Sequence, residues 1–193
     1  MNMNRRTFFS SAIVITIGTL AVYYGNKFYQ GFKTPEINSL DEYLPLIDEL
    51  SDAIIPRTDT PGAKDANVAI FIIDFVKNNA NKKEQNKFID GLVELEEKCF
   101  YDYKSGFLSL TDFQKREILT YFYNKGKNYQ GNLGKINNKL FGRSFFELLK
   151  EYTCIGYCTS FEGATKGLAY ELVPGKYIAK TNYLENQKSW ATK

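Results

Sequence analysis

Apolar positions recur along most of this chain at the spacing of one helix face. Leu44, Ile47, Leu50 and Ile54 form the first clear stripe, and Pro56 stops it, because proline lacks an amide donor and clashes with the preceding turn. Ser39 with Glu42 has the form of a capping box ahead of that stripe. Arg57 to Lys64 reads as a loop built on the turn pair Pro61-Gly62, and Asp65 is placed to cap the next helix. There Val68, Phe71, Ile72, Phe75 and Val76 give the i, i+3, i+4, i+7, i+8 pattern of a core-facing helix. A third helix is predicted from Lys82 to about Tyr103, with Phe88, Leu92, Leu95 and Cys99 on one face. Thr111 with Gln114 is a second capping-box pattern, opening a helix that carries Ile118, Leu119 and Phe122. Asn124 to Gly134 is rich in Gly and Asn and reads as a loop. Ser144 is placed to cap a helix with Phe145, Leu149, Tyr152 and Gly156 in register. From Leu172 the pattern fades, Val173-Pro174-Gly175 is a turn, and the tail to Lys193 reads as irregular. No segment alternates as a strand should and no repeat is visible. The predicted class is all-α: one compact helical domain with an irregular C-terminal tail.

The first 26 residues follow a different pattern. Arg5 and Arg6 precede an apolar run from Phe8 to Tyr24, and no charge occurs between Thr7 and Asn26. Asn4-Arg5-Arg6-Thr7-Phe8-Phe9 resembles a twin-arginine export signal. Asn4 stands where that signal usually has Ser, and Ser10 where it usually has Lys. An ordinary secretory leader with coincidental arginines is the alternative, and Phe8 at the expected offset favours the twin-arginine reading. The apolar centre, Ala12 to Tyr24, is short for a membrane span of about 20 residues, and including Phe8 and Phe9 makes a span just long enough. Thr19-Leu20-Ala21 is a weak small-x-small cleavage pattern. The leader is therefore either cleaved or kept as an anchor. Residues 1–26 read as signal or signal-anchor, 27–38 as a linker containing Pro35, and 39–193 as the helical domain.

Composition narrows the chemistry. The chain has 193 residues, 44 % of them apolar and 24 % charged, with a net charge of +3. The lysines are scattered among acids, which argues against a nucleic-acid partner. There is no histidine. That excludes Ser-His-Asp and Cys-His nucleophile systems, His-ligated haem and most catalytic zinc sites. Cys99, Cys154 and Cys158 form no Cys-x-x-Cys. Cys154 and Cys158 lie one helical turn apart, a poor spacing for a disulfide within a helix. Cys99 paired with one of them, or three buried free thiols, are both open. No phosphate loop or dinucleotide fingerprint is present, and Gly131-x-x-Gly134 is most simply a connection between helices. Glu94, Glu96 and Glu97 read as a solvated helix face.

Two stretches are unusual in composition. Ile54-Ile55-Pro56-Arg57-Thr58-Asp59-Thr60-Pro61-Gly62-Ala63 is a stiff polar loop at a helix end. It serves either to satisfy helix ends or to dock on a partner. The second stretch holds Gly156, Tyr157, Cys158, Thr159 and Ser160, then Gly163-Ala164-Thr165, and leads on to Pro174, Gly175, Tyr177 and the lone Trp190. A tryptophan in an irregular tail needs a surface to rest on, its own or a partner's.

In these residues the chain resembles the gluconate 2-dehydrogenase subunit 3 family, small subunits of membrane-associated flavin-dependent sugar and sugar-acid dehydrogenases. The family's Ile-Pro-x-Thr-Asp-Thr-Pro-Gly-Ala stretch is matched by Ile55 to Ala63. Its Gly-Tyr-x-Thr-Ser and Gly-Ala-Thr segments are matched by Gly156, Tyr157, Thr159, Ser160 and Gly163 to Thr165. Its Pro-Gly-x-Tyr is matched by Pro174, Gly175 and Tyr177, and its late aromatic by Trp190. Cys158 replaces the usual Phe, and Phe161 stands where an acid is common. The resemblance implies a non-catalytic chain that holds no cofactor. It implies a large GMC-type partner subunit carrying FAD, often a cytochrome c subunit, and export of the complex to the periplasm through the twin-arginine (Tat) translocon. It also implies membrane association, through the leader if that is retained. The matched loop and Gly-Tyr segments are the candidate partner interface. A stand-alone exported enzyme and a membrane-anchored structural protein without a redox partner are the competing readings.

Overall fold

In a computed structural model that describes residues 34–127 and 143–173, together with 175, 180, 182 and 185–191, each of these apolar stripes is helical. The α-helices are α1 (Leu44–Ile54), α2 (Val68–Asn78), α3 (Lys82–Tyr103), α4 (Asp112–Lys127) and α5 (Phe145–Thr159). Short 3-10 helices occupy Ile37–Tyr43 and Phe107–Ser109, and a π-helical turn occupies Gly163–Gly167. Among the described residues there is no strand, only an isolated parallel bridge between Ala169 and Trp190. The fold is all-α, as the periodicity predicts. Arg5, Arg6 and Phe8 lie outside the described residues. Among those described, no helix is long and apolar enough to cross a membrane.

Side-chain caps set several helix starts. The Thr111 amide donates to Gln114 Oε1 at 2.9 Å and the Gln114 amide returns to Thr111 Oγ1 at 3.4 Å, the predicted reciprocal box. Ser144 and Glu147 form the same box at the start of α5, with distances of 3.3 and 3.1 Å. Asn81 accepts the Glu84 amide at 3.1 Å and starts α3. Two predicted caps are not formed. Ser39 sits inside the first 3-10 helix and donates back to the Glu36 carbonyl at 2.7 Å. The chain is already helical from Ile37, drawn in by Leu40, which is fully buried. Asp65 does not cap α2, because its carboxylate is taken up by Gly62 and Arg57. Asn67 precedes α2 instead, with φ 52° and no side-chain cap, a left-handed conformation that Asn tolerates. The loop expected from Asn124 also begins later. Helix α4 runs on to Lys127 because its last turn packs under α5: Gly126 is buried, and a Cβ there would lie 2.8 Å from Ser144 Oγ. Gly131 and Gly134 lie outside the described residues.

Helix α5 runs through the core, packing against α1, α2, α3 and α4. Its Phe145, Leu148, Leu149 and Tyr152 are all buried. Phe88 of α3 meets Phe145 at 5.5 Å and Tyr152 at 6.0 Å between ring centroids, and Phe75 of α2 meets Tyr152 at 4.8 Å. Gly91 admits the Phe145 ring, since a Cβ there would come within 2.2 Å of it. Buried Gln85 donates its amide to the Val76 and Lys77 carbonyls at 2.9 and 3.2 Å, closing the C-terminal end of α2. All three cysteines are free. Cys99 is buried and burial pushes its thiol up to about 12, while Cys158 is exposed. The reading of three buried thiols therefore holds for Cys99 alone.

Two features of this packing carry tests. The Tyr152 hydroxyl is buried and meets no partner at full hydrogen-bond geometry among the described residues; burial pushes it up to about 12, against a smaller opposing pull from the nearby Arg143 guanidinium. A buried unsatisfied hydroxyl destabilises the fold. Tyr152→Phe is therefore expected to raise stability by about 1 kcal/mol, read from the urea midpoint. A fall of that size would mean that the hydroxyl is hydrogen-bonded.

Glu49 of α1 accepts from Lys64 at 2.5 Å and from Lys115 of α4 at 2.6 Å. These bonds, Lys115 first, hold its carboxyl below the ordinary 4.5. A depressed carboxyl stabilises the fold above its unfolded value, and that contribution is lost as pH falls through the folded value. Thermal midpoints are expected to drop as pH is lowered below about 4.5. Glu49→Gln should be less stable than the parent at pH 7, with the gap closing toward pH 3. A gap independent of pH would refute the linkage.

Candidate functional site

The loop after α1 is shaped by its own sequence. The residue before a proline is driven out of the helical region, and Ile55 adopts φ −127°, ψ 82°. The Ala63 amide donates to the Ile55 carbonyl at 2.9 Å and closes the loop at its base. Gly62 passes so close to the returning strand of the loop that a Cβ would lie 2.6 Å from the Arg57 nitrogen. Asp65 clamps the turn from outside. One oxygen accepts the Gly62 amide at 2.8 Å and the other accepts from Arg57 at 3.2 Å. Thr58 Oγ1 donates to Asp59 at 3.0 Å and accepts the Thr60 amide at 3.4 Å. The Thr58 amide donates to the Thr60 carbonyl at 3.0 Å. Pro56, Arg57, Thr58 and Asp59 are exposed, and Ile55 is half-buried against the core.

The second segment begins in the last turns of α5. Gly156 lets α5 approach α2, since a Cβ there would lie 2.6 Å from the Phe71 ring and 3.1 Å from Val68. Tyr157 is buried, and its hydroxyl donates to the Pro61 carbonyl at 2.7 Å. Ser160 ends the helix: its hydroxyl donates to the Tyr157 carbonyl at 2.8 Å and accepts the Gly163 amide at 2.9 Å. Thr159 turns back on its own helix, donating to the Ile155 carbonyl at 2.7 Å. The π-helical turn then wraps over Tyr157. A Cβ on Gly163 would lie 1.9 Å from the Tyr157 carbonyl oxygen, and one on Gly167 would lie 2.4 Å from the Tyr157 hydroxyl. Both positions require glycine for that approach.

The two predicted segments are therefore one surface. Between them lies a polar concavity of about 460 Å³, with Thr58, Asp59 and Thr60 on one wall and Glu162 and Lys166 on the other. The tail returns to its rim. The Ala169 amide donates to the Ser189 carbonyl and the Ala191 amide to the Ala169 carbonyl, each at 2.8 Å, and Lys188 reaches the Lys166 carbonyl at 2.5 Å. Trp190 is held there by its backbone while the residue stays 54 % exposed, so the ring does not belong to the core. Gly175 is not brought in: a Cβ there would meet nothing within 4 Å. Pro174 and Tyr177 lie outside the described residues.

Gly167, Glu162 and Lys166 are site residues that pattern reading does not single out, and Asp65, read as a helix cap, belongs to the loop instead. The Gly163-x-x-x-Gly167 spacing was a usable signal for a close approach, but nothing local said which side chain would fill the gap. The Arg57–Asp65 pair has its arginine 75 % exposed, so its value is in shaping the loop rather than in stability. Glu94 and Glu96 are less free than a solvated face implies. Glu94 pairs with Lys125, and Glu96 accepts the Phe107 amide at 3.3 Å. Among the described residues no three His, Cys, Asp or Glu gather as a metal site. What the concavity offers is a set of hydroxyls, carboxylates and cations in fixed positions, suited to binding a polar surface.

No curated protein and no solved structure matches the chain. A family model does match, over residues 41–175, a span that includes both the proline-rich loop and the Gly-Tyr segment. With both segments and the helical fold in place, the chain belongs to the gluconate 2-dehydrogenase subunit 3 family.

Proposed function

We propose that this chain is a non-catalytic accessory subunit of a gluconate 2-dehydrogenase-like complex, bound to a large GMC-type subunit that carries FAD and oxidises a sugar or sugar acid. The observation that carries this reading is the family match across both segments of the composite surface. The absence of histidine from the sequence is consistent with it, since the commonest acid/base near neutral pH is missing.

The leader supports a second role. Arg5-Arg6-Thr7-Phe8-Phe9 has the form of a twin-arginine signal, and that route moves proteins already folded. A flavoprotein must fold around its cofactor before export. A small subunit that binds the loaded large subunit and supplies the signal would escort it to the periplasm, where a cytochrome c subunit often takes the electrons. The leader then either is removed or holds the complex at the membrane.

The test is Arg5→Lys with Arg6→Lys in cells expressing the whole complex. The charge is retained and the guanidinium pair is lost. Dehydrogenase activity is expected to stay in the cytoplasmic fraction, with periplasmic activity falling at least tenfold. Unchanged periplasmic activity would sink the escort role. Recovery of the chain from membranes with no flavin absorbance would sink the subunit role.

A further inference from the structure

We infer that Tyr157 is a positioning residue for partner binding, its hydroxyl holding the Arg57–Thr60 loop in the shape that docks on the large subunit. The inference rests on the accessory-subunit reading and says which part of the surface is built for contact. The loop residues Pro56, Arg57, Thr58 and Asp59 are exposed and cover no core. A surface loop with no burial to gain ordinarily keeps its conformational freedom. This one is held from two independent directions. Asp65 grips it through Gly62 and Arg57 from the following turn. Tyr157 grips it at the Pro61 carbonyl, 2.7 Å away and 96 positions distant in sequence.

The second grip is demanding. The phenol must pass beneath the π-helical turn, and it fits because residue 167 is a glycine, while Gly163 lets the turn close onto the Tyr157 carbonyl. A merely structural tyrosine could end in any carbonyl of the core. This one ends on the loop, beside the concavity whose far wall is Glu162 and Lys166. Ordering a loop before contact reduces the entropy lost on binding, which is how a rigid surface gains affinity. The occupant is a polar face of the large subunit, because the walls present hydroxyls and charges of both signs rather than an apolar groove.

The test uses the full chain and the flavin-bearing large subunit, with Tyr157→Phe. The ring still fills the space under Gly167 and only the hydrogen bond is lost. Amide exchange at Thr58, Thr60 and Gly62 is expected to speed up, the thermal midpoint to fall by about 2–4 °C, and the dissociation constant for the large subunit to rise about fivefold, each the equivalent of one neutral hydrogen bond. Gly167→Ala, which displaces the hydroxyl while keeping the tyrosine, should give the same faster exchange and weaker binding with a larger fall in the midpoint, so that the shared loss of affinity at two different stability costs separates positioning from general destabilisation. Faster exchange with an unchanged dissociation constant would overturn the positioning role while leaving the subunit reading intact. A parent chain that does not bind the large subunit, and is found instead on lipid vesicles or as a dimer of itself, would overturn both.

Discussion

The fold and its candidate site depend on the burial of one helix. Phe145–Thr159 crosses the middle of the fold and contacts each of the other α-helices, so its apolar side chains are the shared wall of the core. The magnitudes favour this over the charged contacts. Each fully buried Leu or Phe contributes roughly 1.5–3 kcal/mol by removal from water. An exposed ion pair such as Arg57–Asp65 contributes about 0–1 kcal/mol. The close packing is possible only because Gly91 and Gly156 leave room for Phe145 and Phe71. A methyl group at either position would wedge two helices apart, and overpacking of that kind costs about 1–3 kcal/mol.

The same helix makes the candidate site. Its buried face sets the rotation of the helix, and that rotation aims Tyr157 at Pro61. The glycine turn can then fold over the phenol, and the tail can pair beside it at Ala169 and Trp190. The polar surface is thus a consequence of core packing rather than an appendage to it. This suits a chain whose proposed work is to present a fixed face to another subunit.

Helix existence was legible because it depends on local periodicity and on residues three or four apart. Lys82–Tyr103 and the boxes at Thr111 and Ser144 follow from that short range. The misread caps show where the range ends. Ser39 and Asp65 each have the chemistry of a cap, and each spends its oxygen on a nearer or better-placed partner. Which partner prevails depends on where Leu40 and Gly62 are carried by packing, and no local pattern contains that. The end of α4 lies beyond local pattern for the same reason, since Asn124 and Gly126 stay helical there under the start of α5.

By itself the sequence determined the helical class and both unusual segments, because these rest on composition, spacing and residue chemistry. The tertiary structure alone decided that the two segments are one surface. Pro61 and Tyr157 are 96 positions apart, and nothing in either segment names the other. Their meeting is set by the approach of α5 to α2 at Gly156, a contact that exists only once the core has formed.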